Sequence, residues 1–372
     1  MIHRAFRLTV SALSGLAMVG ASALVATAAP PADRTPVAVA TGLNNPRQLS
    51  IGPDGAIYVA ESGVGGSGPC IAGAEGTACF GRTGSITKIS GGTQSRVVTG
   101  LPSVAGEGGF GASGPSDVQV RGGRYTLSFG LGADPAQRAS LPAAGPRLGT
   151  LATGNLGSSA ARTIADLAAF EGAKDFDGLG KDSNPSSLTP LGTSHLAVDA
   201  GANALLRVTA RGKMAIVATF PNRMVPKPPF LGTGEMPMQS VPTSVALGPD
   251  GAYYVSELTG FPFPAGEARI YRVKPGQAPT VWASGLTNVT DLTWAGGRLY
   301  AVQLADAGLL AVPPGELPMG SLVEVRRSGP VTVASGLLAP YGVAVSGTNA
   351  YVTTCGMCAG MGGVVRIPLG GS

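Results

Sequence analysis

The 372-residue chain contains 58 glycines and 30 prolines, is 44% hydrophobic and only 13% charged, and carries a net charge of +5. High apolar content with little charge excludes a disordered chain, and glycines that keep no three-residue period exclude collagen. The mild basic balance, with no basic run longer than Arg326-Arg327, leaves no electrostatic footprint for nucleic acid or an anionic membrane.

Met1 to Ala28 carries Arg4 and Arg7, then an uncharged stretch from Leu8 to Val25, then Ala26-Thr27-Ala28. A basic start, an apolar middle and a small-x-small end predict a secretory signal cut after Ala28, with residues 29–372 as a single domain. No later stretch reaches the roughly 18 apolar residues of a membrane span, so no membrane attachment is expected after cleavage. Export places the four cysteines in an oxidising compartment. Cys70 and Cys79 form one close pair, Cys355 and Cys358 another. Three connectivities are open, and pairing within each loop is favoured.

Further along, one segment type recurs six times. Val37 to Leu43 (VAVATGL), Arg96 to Leu101, Thr280 to Leu286 and Val331 to Leu337 are close copies, and Arg162 to Ala168 and Ala215 to Pro221 are looser ones. After each comes a turn, with Pro46, Pro115, Pro185, Pro242 and Pro340 in five units and Val289 in the same slot of the remaining one. An apolar strand follows the turn, and then a second: Ala56 to Glu61, Arg124 to Phe129, Ser194 to Asp199, Ala252 to Glu257, Arg298 to Gln303 and Asn349 to Thr354. A third strand completes the cycle, as in Gly84 to Ser90 and Ala268 to Lys274. Six units of four strands predict an all-β, six-bladed β-propeller. The first segment is of the fourth-strand type and the last, Gly363 to Leu369, of the third-strand type. The N-terminal strand is therefore expected to complete the final blade and close the ring, leaving no open edge. One short helix is expected over Asp166 to Lys174.

Aligning the units brings chemistry into columns. The end of the second strand reads Glu61, Ser128, Asp199, Glu257, Gln303 and Thr354; the position before the proline slot includes Asn45, Asn184 and Asn288; two positions after it lie Asp117 and Asp291. Carboxylates and amide oxygens converging on a channel mouth suit a hard cation, which makes Glu61, Asp199, Glu257 and Asn184 a candidate Ca2+ site. The alternative is that these side chains cap turns or stay hydrated. Asp175, Asp177 and Asp182 crowd a loop with Gly178 and Gly180, either solvated or holding Ca2+. After signal removal His195 is the single histidine, which excludes a multi-histidine metal site. No G-x-S-x-G elbow is present.

Several stretches carry a family resemblance: Ser183-Asn184-Pro185, Val198 to Val208 (VDAGANALLRV), Val241 to Ser244 (VPTS), Gly248 to Gly251 (GPDG) and Glu257 to Pro264 (ELTGFPFP). Over nearly the whole chain after the signal, the sequence resembles the ScyD/ScyE family of exported propellers. That resemblance implies a secreted extracellular protein, with a role in a pigment pathway for members named after the scytonemin cluster. The six-bladed layout is also similar to gluconolactonases and strictosidine synthases, which place acidic residues at the channel mouth, as Glu61, Asp199 and Glu257 would be here. The expected function is a monomeric binding module taking a small molecule or a protein partner at the channel face. The alternative is a Ca2+-dependent hydrolase or lyase of the gluconolactonase or strictosidine synthase kind.

Overall fold

A strand buried on both sides needs no alternation of apolar and polar residues, and the second strands are of this kind: Ile57–Glu61 and Tyr253–Glu257 are buried throughout. Fourth-type strands behave oppositely. Val37–Leu43 and Thr280–Leu286 share one pattern, fully buried only at a central alanine and at the closing leucine, as suits the outermost strand of a sheet. A computed structural model describing residues 34–370 builds these strands into six antiparallel four-stranded sheets, the blades of a β-propeller. The signal segment expected over 1–28 lies outside the described residues.

Blade 1 consists of Pro46–Ile51, Ile57–Glu61, Gly76–Ser90 and Thr93–Ala105, from the channel outward. Blades 2 to 6 repeat that order from Pro115, Pro185, Pro242, Val289 and Val343. In blade 6 the outermost strand is Val37–Leu43, hydrogen-bonded to Gly362–Pro368, so the chain's two ends close the ring as expected. The turns between blades and the loops joining second to third strands share one face, called upper here; the tight hairpins lie on the lower face. One of these hairpins, Gly52 to Gly55, requires glycine at its first position because an added Cβ would sit 2.6 Å from the Tyr58 ring.

Apolar side chains fill the seams between neighbouring blades. Tyr58 and Ile86 of blade 1 pack with Val118 and Tyr125 of blade 2, and Tyr254 of blade 4 stacks edge-on against Trp294 of blade 5. Around the channel the blades are also tied by hydroxyls that each donate to a backbone carbonyl of the next blade. Ser62 bonds to Pro115, Ser116 to Pro185, Ser186 to Thr243, Thr243 to Val289, Thr290 to Tyr341 and Thr353 to Arg47. That circuit passes through all six blades. In blades 2 to 5 it depends on a β-bulge after the proline slot, which turns Ser116, Ser186, Thr243 or Thr290 toward the neighbouring blade, whereas Ser62 and Thr353 come from the ends of second strands.

Three features depart from the repeat. Gly76–Ser90 extends beyond its blade to pair with an extra strand, Cys70–Gly73, and the register sets Cys70 directly opposite Cys79. A hairpin of Arg223–Pro226 and Glu235–Met238 is inserted between blades 3 and 4. Helix Leu167–Lys174 leaves the outer strand of blade 2 with Asp166 as its N-cap. Both local disulfides, Cys70–Cys79 and Cys355–Cys358, are formed.

Candidate functional site

Glu61, Asp199 and Glu257 end the second strands of blades 1, 3 and 4, each opposite the proline of its own first strand. All three are fully buried. Glu61 accepts from the Asn44 backbone N–H at 2.7 Å, from Ser85 Oγ at 2.9 Å, and from Arg96 through Nε at 3.0 Å and Nη2 at 2.8 Å. Glu257 accepts from Arg223 Nη1 at 2.7 and 2.9 Å and from Ser240 Oγ at 2.6 Å. Burial raises its pKa, and Arg223 opposes that shift. Asp199 accepts from Ser183 Oγ at 2.7 Å and the Asn184 N–H at 2.6 Å, with its carboxyl pushed up to about 6 by burial.

The structure does not bring the candidate Ca2+ residues together. Among the described residues, the acidic, histidine or cysteine side chains that bring three ligand atoms within 4.8 Å of one another are Glu171, Asp175 and Asp177. Glu61, Asp199 and Glu257 do not converge. Each turns into its own blade, because the inter-blade turn exposes backbone N–H and hydroxyl donors that need an acceptor. Glu61 and Glu257 are further neutralised by arginines. The column itself shifts by one in two blades: in blade 2 the residue opposite Pro115 is Phe129, not Ser128, and in blade 6 the Gly356 N–H bond to the Ala339 carbonyl sets Cys355, not Thr354, in the column. Asn184 stands apart, lining an upper cavity of about 160 Å3 together with Arg47 and Tyr341. There the Arg47 guanidinium lies 4.6 Å from the Tyr341 ring centre.

Beneath this cavity the channel is crossed by Gln48. Its amide leaves blade 1 and donates to the carbonyls of Thr243 and Thr290, on blades 4 and 5, at 3.2 Å each. Below Gln48 lies a larger cavity of about 370 Å3 with Asp117 and Asp291 in its wall. These two sit on blades 2 and 5, opposite one another in a six-blade ring. Both are more than nine-tenths buried. Asp291 accepts from Ser244 Oγ at 2.6 Å and from the N–H groups of Val343 at 2.7 Å and Leu292 at 2.8 Å. Asp117 accepts from the Leu188 N–H at 2.8 Å. Burial pushes Asp291 up to about 7; it also raises Asp117 well above the carboxylate range, with the Asp291 charge adding to the effect.

Among the described residues, no lysine, arginine or histidine lines this lower cavity. Ser50 and Trp294 line it too, and Ser50 Oγ and Trp294 Nε1 are buried without hydrogen-bond partners. The spacing of Asp117 and Asp291 after the proline slot marks them in the sequence. Nothing local marks Gln48, whose partners lie 195 and 242 residues away. His195 is half-buried at the lower end of its strand, its pKa lowered by burial and Nδ1 unpartnered; Asp199 bonds elsewhere.

No family model matches the chain, and no curated protein matches it. Solved structures do. A glucose dehydrogenase aligns over 91% of this chain and 100% of its own at 14% identity, with a TM-score of 0.51. The PQQ-bound aldose sugar dehydrogenase of Streptomyces coelicolor aligns over 91% and 99% at 15% identity, with a TM-score of 0.50. At such identities the likeness is one of fold, and it covers the propeller as a whole.

Proposed function

We propose that the protein is an exported binding module that takes a small organic cation in the lower channel cavity, between Asp117 and Asp291. The observation carrying this reading is the pair of buried carboxyls that share one cavity with no basic side chain among the described residues of its wall. Two such groups cannot both ionise cheaply in a low-dielectric space, and an entering cation relieves that cost. A volume of about 370 Å3 exceeds the needs of a bare metal ion, and Trp294 adds an aromatic wall of the sort that attracts ammonium groups. The hydrogen bonds of Glu61 to Arg96 and of Asp199 to Ser183 favour this reading over a Ca2+-dependent hydrolase built on those carboxylates.

Export is supported by the character of residues 1–28 and by two disulfides. No helix among the described residues is long and apolar enough to cross a membrane. Membership of the ScyD/ScyE family is proposed on the VDAGANALLRV and ELTGFPFP stretches.

The test is a thermal-shift and calorimetric screen of small alkylammonium and diamine ions. A saturable rise in melting temperature is expected in the wild type and not in Asp117→Asn/Asp291→Asn. Equal shifts in both proteins, or none with any member of the series, would remove this reading.

A further inference from the structure

A second acidic group lies away from the channel, where the outer strand of blade 2 connects to blade 3. Helix Leu167–Lys174 starts on the Asp166 cap, whose Oδ1 accepts the Ala169 N–H at 2.8 Å, and ends at Asp175 in the left-handed conformation with φ of 47°. Phe176 folds back onto Phe170, ring centres 4.8 Å apart. That reversal brings one carboxylate oxygen each from Glu171, Asp175 and Asp177 to within 4.8 Å of one another. Three carboxylates thus gather at the negative end of a helix dipole, where a cation and not an anion is favoured. None of the ion pairs among the described residues joins them to a basic side chain.

An independent observation points to a ligand. Glu171 is wholly buried, and although its Oε2 accepts the Phe176 N–H at 3.2 Å, its Oε1 is buried with no partner at all. A buried carboxylate oxygen without a donor costs free energy unless something fills the place. We propose that Glu171, Asp175 and Asp177 bind one calcium ion at the turn between helix Leu167–Lys174 and blade 3. All-oxygen, carboxylate-rich coordination selects a hard cation, and a site assembled from a helix end and a flexible loop suits Ca2+ better than the strict octahedron of Mg2+. Asn203 of blade 3 donates to Asp177 Oδ2 at 2.7 Å, so a filled site would tie helix, loop and blade 3 together. This inference is independent of the channel reading and shares no residue with it.

The experiment uses chelator-stripped full-length protein, with Ca2+ binding followed by calorimetry and by melting temperature. Wild type is expected to bind one Ca2+ per chain and to melt higher with millimolar Ca2+. Glu171→Gln, and separately Asp175→Asn/Asp177→Asn, are expected to weaken binding by about two orders of magnitude, the scale on which ligand charge tunes calcium loops. Without metal, Glu171→Gln should melt at or above the wild type, because repulsion falls; a purely structural carboxylate would instead leave it less stable. Asp117→Asn/Asp291→Asn should keep the Ca2+ response. No Ca2+ binding by the wild type, or undiminished binding in both loop variants, would overturn the proposal.

Discussion

Replacing Asp291 with asparagine should flatten the pH dependence of stability. Asp291 is buried and pushed up to about 7 from an ordinary value of 3.8, so between those limits the folded protein holds a proton that the unfolded chain has released. The folded state then binds more protons, and stability falls as pH rises, by about 1.4 kcal/mol per pH unit for this one group. From about pH 5 to about pH 7, where the slope tapers as the folded group ionises, that amounts to about 2 kcal/mol, a large fraction of a typical domain's stability. The contribution is full only below about 3.8, falls as pH rises between the two values, and is gone once pH passes the folded pKa of about 7. The amide introduced by Asp291→Asn does not titrate. The substitution would also lower the pKa of Asp117, whose carboxyl is held up partly by the Asp291 charge. An amide keeps one oxygen for Ser244 and Leu292 but turns its nitrogen toward the Val343 N–H, a donor conflict costing about 1–3 kcal/mol that is independent of pH. Urea unfolding of wild type and Asp291→Asn at several pH values separates the two effects, because the conflict moves the whole curve and the titration changes its slope. Identical slopes would show that Asp291 ionises as freely in the folded protein as in the unfolded chain. The case for a cation-seeking cavity would fall with it.

Removing residues 34–43 deletes the outer strand of blade 6 and exposes the edge of Gly362–Pro368; loss of cooperative melting or aggregation is expected, and an unchanged melt would refute closure by this strand. Peptide mapping without reduction should link Cys70 to Cys79 and Cys355 to Cys358, as the structure pairs them. Removing the first bridge should cost about 2.5–3 kcal/mol in the chain-entropy description, and free thiols in purified exported protein would contradict both pairings. Arg223→Met leaves Glu257 buried without its cation and should destabilise by about 3–5 kcal/mol at neutral pH. The deficit should narrow in acid as Glu257 takes a proton, and a loss independent of pH would show that Arg223 acts through packing alone.

The architecture was legible because it repeats. Four of the six second strands keep the bounds expected from the repeat alignment, among them Ser194–Asp199 and Asn349–Thr354, since a blade core must be apolar on both faces whatever its neighbours. The closing role of Val37–Leu43 followed from its type and its place in the order. Helix Leu167–Lys174 was marked by its aspartate cap and alanine content. The one-residue slip at Phe129 arose where a glycine-rich stretch, Gly130-Leu131-Gly132, obscures the strand end.

The site was less legible, for a physical reason. Alignment by repeat places Glu61, Asp199 and Glu257 at one height and radius, and to that extent the sequence determines their position. It does not determine where their side chains turn. That depends on donors brought from elsewhere: Arg96 from the outer strand of blade 1, Arg223 from an inserted hairpin, and the N–H of Asn184 from an inter-blade turn. Such donors win because a buried carboxylate takes the nearest hydrogen-bond partners, which the fold brings up beside its strand end instead of into the channel. The division of the channel by Gln48 and the isolation of Asp117 and Asp291 below it likewise exist only once blades 1, 4 and 5 stand around one axis. Local pattern sufficed for strands, turns and ring closure, which are set by periodicity and short-range geometry, whereas the chemistry of the channel came from contacts between residues hundreds of positions apart.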